Sequence, residues 1–184
     1  MKVYTGIGSR KTPNNILEYM ADFSQAMTSN GMTLRSGGAA GADTAFETGS
    51  KRNEIYIPWG NFNDRTNAIV ASDLLNFDEA MTIASEVHPA WNNCSNGAKK
   101  LHARNVYQIL GKDLDSPSDL VICWTPDGAN GYKKKVTSKT GGTGTAITLA
   151  KICSVPVLNI ANIDDFEDCE NIKSSIKSFN GRLR

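Results

Sequence analysis

A glycine-rich turn set between a strand pattern and a helix pattern constrains this chain more than any other feature, and it occurs twice near the N-terminus. Val3-Tyr4-Thr5 runs into Gly6-Ile7-Gly8-Ser9-Arg10, and Met32-Thr33-Leu34-Arg35 runs into Ser36-Gly37-Gly38-Ala39-Ala40-Gly41-Ala42-Asp43. A third glycine turn, Gly141-Gly142-Thr143-Gly144-Thr145, opens a later helical pattern. Strand, turn and helix in that order is the unit of a parallel sheet with helical crossovers. Turns without side chains also let N–H groups at a helix N-terminus approach an anion closely, where the helix dipole favours negative charge. The pattern thus predicts an architecture and a ligand chemistry together.

The remaining periodicity extends the same alternation. Ile16, Leu17, Met20, Phe23 and Met27 recur at helical spacing between Pro13 and Asn30-Gly31, so a helix is expected over Pro13–Ser29. Further helices are expected over Ala42–Ser50, around Asp78–Ser85, and over Ala98–Leu110, Thr145–Cys153 and Phe166–Phe179. Strands are expected over Glu54–Ile57, Leu120–Trp124 and Val155–Asn159. The result is an α/β chain with a doubly wound, mostly parallel sheet and helices on both faces. One domain over residues 1–184 fits the length, with a less regular insertion at about residues 60–97. Ala129–Thr140, polar and holding Lys133, Lys134, Lys135 and Lys139, reads as a flexible loop or exposed hairpin. The lysine run is either a solvated loop or a lid that adds charge when a ligand arrives.

Charge and cysteine usage narrow the function classes. Twenty basic against nineteen acidic residues give a net charge of +1, which argues against a broad basic face for nucleic acid and leaves room for a small anion. Cys94, Cys123, Cys153 and Cys169 form no CxxC pair, and His88 and His102 fall in no metal-ligand spacing, so no metal and no cofactor is expected. With no apolar run long enough for a signal peptide or membrane span, a cytoplasmic protein is expected.

Taken together, the Gly8-Ser9-Arg10 turn, the Ser36–Asp43 turn and the Gly141–Thr145 helix start resemble the SLOG superfamily of Rossmann-like proteins, over roughly Met1–Ile57 and Pro117–Asn159. That superfamily includes the DNA-processing protein A family, the Lonely Guy phosphoribohydrolases and nucleotide-sensing domains of antiviral effectors. The chain looks most like small stand-alone members found in phage genomes. The resemblance implies a Rossmann-like fold and a nucleotide-derived ligand of ADP-ribose or cyclic-nucleotide type. For a phage member the resemblance implies that such a ligand is held against host antiviral signalling, in the host cytoplasm and by a homo-oligomer. Lonely Guy proteins carry a catalytic glutamate three residues after the threonine of Gly-Gly-x-Gly-Thr; this chain has Thr148 there, which leans away from an enzyme.

Candidate ligand-binding residues are Gly8, Ser9, Arg10, Ser36, Gly37, Gly38, Ala39, Asp43, Trp59, Thr125, Gly141, Gly142, Thr143, Gly144 and Thr145. The glycines equally suit tight turns and close packing. Arg10 offers a planar fork for phosphate, Asp43 a carboxylate for ribose hydroxyls or simply for the helix N-terminus, and Trp59 a stacking face or a packing group. Asp43 and Glu47, on one helical face, are the candidate catalytic carboxylates if the chain is an N-glycosidase or phosphoribohydrolase after all. A third reading, single-stranded DNA binding, would draw on Arg10, Arg35, Lys99, Lys100 and Arg104. His102 and Arg104 belong either to the site or to a solvated helical face.

Overall fold

Alternation along the short strands sends side chains to two separate cores. In β5 (Leu120–Trp124), Val121 and Cys123 join one core while Leu120 and Ile122 join the other. In β3 (Asn53–Ile57), Tyr56 faces the first core and Ile55 and Ile57 the second. Such two-sided burial is what a parallel sheet covered on both faces requires. The computed structural model describes residues 2–181.

The sheet also contains β1 (Val3–Gly8), β2 (Thr33–Ser36), β4 (Ile69–Val70) and β6 (Val157–Asn159). Its order is β4-β3-β2-β1-β5-β6, with every pair parallel. Helices α1 (Asn14–Ser29), α2 (Ala42–Gly49) and α6 (Ile163–Gly181) cover one face through Met20, Phe23, Met27, Phe46, Cys169 and Ile176. The other face carries α3 (Phe77–Val87), α4 (Asn96–Leu110) and α5 (Thr143–Ile152), which contribute Ala80, Ala84, Val106, Tyr107, Ile109, Ile147 and Leu149. Each large side chain that is fully buried this way contributes roughly 1.5–3 kcal/mol relative to exposure. Close approach of α2 to β1 depends on Gly6, where a Cβ would lie 2.5 Å from Phe46 Cγ. An alanine at that position would drive the helix off the sheet.

Element boundaries follow local chemistry. Pro13 caps α1 with φ −60°, and Gly31 at φ +78° turns the chain out of the helix. Helix α4 starts earlier than its apolar periodicity suggests because Ser95 Oγ accepts from the Ala98 N–H. The region around 60–97 contributes one short strand and one helix to the fold. Its two-residue β4 extends the sheet beside β3, and its helix α3 packs on α4. A strand of two residues leaves no periodicity to read.

The lysine-bearing segment after β5 forms no hairpin. Asn130 Oδ1 accepts from the N–H groups of Tyr132, Lys133 and Lys134, and the Asp127 carboxylate accepts from the hydroxyls of Thr125, Thr137 and Thr140. Burial pushes Asp127 up, but the three hydroxyls and the Ala129 N–H outweigh it and hold the carboxyl below its ordinary range. Polar residues that read as solvated loop instead tie the segment down.

Candidate functional site

The strand order reverses between β1 and β5, so the turns after these two central strands part and leave a crevice at their carboxyl ends. Open α/β sheets place ligands at such a switch point. A cleft of about 450 Å³ opens there, within the range of small-molecule sites. Gly8, Ser9, Arg10 and Lys11 from the turn after β1 form one side, and Lys139 to Thr143 at the start of α5 form the opposite side. Helix α4 supplies the remaining wall through Leu101, His102, Arg104, Asn105 and Gln108.

The two glycine turns stand differently toward this cleft. At Gly142 a Cβ would meet nothing within 4 Å, and the same is true of Gly141, which sits at φ +70°. The start of α5 is therefore open backbone facing solvent space. At Gly37 a Cβ would fall 1.1 Å from Arg104 Nη1, so the place of the missing side chain is taken by a guanidinium of the protein itself. Gly38 is similarly covered: its carbonyl accepts from Arg65 Nε at 2.9 Å and from Asn63 Nδ2 at 2.9 Å.

Arg104 and Asp43 form a buried ion pair, Nη1 to Oδ2 at 3.2 Å, with each side chain 6% exposed. Burial pushes the Asp43 carboxyl above its ordinary range, while Arg104 and the N–H groups of Ala39 and Gly8 pull it back. Arg104 Nε has no hydrogen-bond partner among the described residues. Beside the pair, Gln108 turns its amide oxygen to the Gly37 N–H (2.9 Å) and to Arg104 Nη1 (3.2 Å), and its amide nitrogen to Asn105 Oδ1 (2.9 Å). Asn105 Nδ2 then donates to the Gly142 carbonyl at 2.9 Å. A row of amides on α4 thus links one glycine turn to the other.

His102 lies at the edge of the cleft, with Nδ1 2.8 Å from Thr145 Oγ1. Burial, then the neighbouring His88 and Arg104, push its pKa down to about 4, so the imidazole is neutral near pH 7. A side cavity adjoins it, lined by His88, His102, Gly144, Thr145 and Thr148 among others.

Of the candidate residues, Gly8, Ser9, Arg10, Ala39, Asp43, Gly141, Gly142 and Thr143 meet around the cleft, and Gly144 and Thr145 line the side cavity. Ser36, Gly37, Gly38, Trp59 and Thr125 are not among its walls. The Ser36 hydroxyl donates to the Gly6 carbonyl, Trp59 packs edge-on to Phe62, and Thr125 is bound to Asp127 and Asn159. Glu47 is paired with Arg65, and Arg35 is buried against Glu54. In the lysine run, Lys133 pairs with Asp164 and Lys134 with Asn162, while Lys139 alone of the four reaches the cleft. Lys11, Asn105 and Gln108 also line the cleft, although they fall outside the sequence-based candidates. For Asn105 and Gln108 the available signal is their place, with Arg104, among the apolar residues Val106, Ile109 and Leu110 in the buried second half of α4; Lys11 has none beyond its place next to Arg10.

No family model matches the sequence, and no curated protein matches it. Among solved structures, the chain is similar to DNA processing protein A from Helicobacter pylori, with 18% identity and a TM-score of 0.49. The match covers 85% of this chain and 63% of that one, so this chain spans less than two thirds of its length. That structure concerns the single-stranded DNA binding mode of the Helicobacter protein.

Proposed function

We propose that the cleft binds the phosphate end of a nucleotide-derived ligand and holds it without turnover. The carrying observation is the charge arrangement at the switch point. Arg10, Lys11, Lys139 and buried Arg104 surround a space whose one lining carboxylate, Asp43, is already paired, at the exposed start of α5. Phosphate would take N–H groups from the Gly141–Thr143 backbone, with Arg10 as a bidentate clamp and Lys139 closing from the opposite side.

Holding rather than turnover is supported by the state of the carboxylates. Ribosyl transfer by analogy with glycosidases needs a carboxylate free to face the sugar. Asp43 is engaged by Arg104 and backbone amides, Glu47 is paired away from the cleft, and Thr148 directs its hydroxyl to the Gly144 carbonyl. In this reading the ligand is of ADP-ribose or cyclic-nucleotide type. A phage protein of this kind would withdraw such a signal from host defence by slow release, which a second copy closing the open cleft would favour.

The test is to denature purified protein, identify released small molecules by mass spectrometry, and titrate emptied protein with ADP-ribose, cyclic AMP and a single-stranded oligonucleotide at several salt concentrations. Release or binding of an intact nucleotide, lost in Arg10→Ala and Lys139→Ala, supports the proposal. Accumulation of free base or ribose phosphate overturns holding in favour of hydrolysis. Oligonucleotide binding with a steep salt dependence and no response to nucleotides replaces it with single-stranded DNA binding.

A further inference from the structure

We propose that His88, Cys94 and His102 form a site for a thiophilic divalent metal, zinc by chemical class, next to the cleft. These residues sit at the end of α3, after the 3-10 turn Trp91–Asn93, and on α4. Folding brings one ligand atom from each to within 4.8 Å of the others. His88 Nδ1 lies 3.9 Å from Cys94 Sγ, and the two imidazole rings have centroids 4.2 Å apart.

A tetrahedral zinc centre, with Zn–N about 2.0 Å and Zn–S about 2.3 Å, spaces its nitrogen and sulfur donors roughly 3.5 Å apart. The His88 Nδ1–Cys94 Sγ pair is a few tenths of an ångström wider than this, and a metal there would replace the hydrogen bond that Nδ1 accepts from the Ala90 N–H; the His102 donor, within 4.8 Å of both, has to close by up to about 1.3 Å. Thr145 Oγ1 at His102 Nδ1 is the outer partner that fixes the orientation and tautomer of a ligating imidazole, leaving Nε2 for the metal. Binding replaces the thiol proton of Cys94, now directed toward the Ala90 carbonyl or His88, and releases it to solvent, so that the sulfur ligates as thiolate.

Two histidines and one cysteine leave a fourth coordination position. The side cavity shared by both imidazoles with Gly144, Thr145 and Thr148 gives room for a water or a phosphate oxygen there. The metal would also clasp the end of α3 to α4, the helix that carries Arg104, Asn105 and Gln108. The site stands on its own geometry and does not depend on the ligand proposed for the cleft.

The test uses the full chain, stripped with a chelator and titrated with Co²⁺, then competed with Zn²⁺. One equivalent of cobalt should give tetrahedral d–d bands and a thiolate charge-transfer band that zinc abolishes, and zinc should raise the melting temperature. Cys94→Ser should remove the charge-transfer band, and Cys153→Ser, the other part-exposed thiol, should keep it. Thr145→Val should weaken affinity about tenfold while leaving the band in place. A folded wild-type protein that gives no charge-transfer band, or a band that survives Cys94→Ser, overturns the proposal. Circular dichroism of each stripped variant separates lost folding from lost ligation. Because no nucleotide is present, failure here leaves the cleft reading untouched.

Discussion

The two glycine turns look alike as sequence and are used in opposite ways. At Ser36–Asp43 the space left by missing side chains is filled by the chain's own arginines, Arg104 over Gly37 and Arg65 over Gly38. At Gly141–Thr143 that space is open and edges a cleft with Arg10, Lys11 and Lys139. Glycine richness after a strand therefore signals that something must come close to the backbone, and leaves open whether that something is a ligand or the protein. The filled turn brings a cation to the cleft wall permanently, while the open one leaves its amides to be satisfied from outside.

The most forceful way to break the contrast is Arg104→Met. It leaves Asp43 buried without its partner and should destabilise the protein by about 3–5 kcal/mol in urea unfolding, with binding lost as a consequence. Gly37→Ala should follow with about 1–3 kcal/mol of destabilisation. The overlapping guanidinium is held by Asp43 and Gln108 and cannot swing aside cheaply. An unchanged urea midpoint for Gly37→Ala would mean that the turn is not filled as described. Gly142→Ala sharpens the other half: with φ −61° and nothing within 4 Å, stability should move by less than about 0.5 kcal/mol. Nucleotide affinity measured calorimetrically should fall about tenfold, or ~1.4 kcal/mol, as the methyl crowds the phosphate.

The smallest expected effect is a pH control remote from both turns. The N–H groups of Val3 and Lys2 donate to Asp119 and hold its carboxyl below the ordinary range. A depressed folded pKa gives stability that is fully present above the unfolded value and lost as pH falls through the folded one. Asp119→Asn should flatten that acid limb of melting temperature against pH and leave ligand binding at neutral pH unchanged. A retained acid limb would place the loss elsewhere, for instance at Asp127.

Much of the architecture was legible because it rests on local signals. The Met20-Phe23-Met27 stripe, the Leu120–Trp124 run and the Pro13 and Gly31 punctuation each act within a few residues. The site was half legible for the same reason. Ser9, Arg10, Gly141 and Gly142 lie in the turns that announced them, whereas Arg104, Asn105 and Gln108 come from a helix more than sixty residues beyond Gly37. Nothing adjacent to Arg104 in sequence shows that its partner is Asp43. The cluster of His88, Cys94 and His102 was hidden similarly, since its spacing follows from how the end of α3 meets α4 and matches no local ligand motif.

The central position of β1 has a consequence for synthesis. Its neighbour on one side, β2, follows within thirty residues, but its partner on the other side, β5, pairs Tyr4 with Leu120 and Gly8 with Trp124. A chain made from its N-terminus must carry an apolar strand with an unpaired edge until more than a hundred further residues have been added. Such an edge is a template for pairing with other chains. Nascent β1 is thus the segment most in need of protection during synthesis, and the pairing with β5 that ends its exposure is also the step that sets the two sides of the cleft against one another.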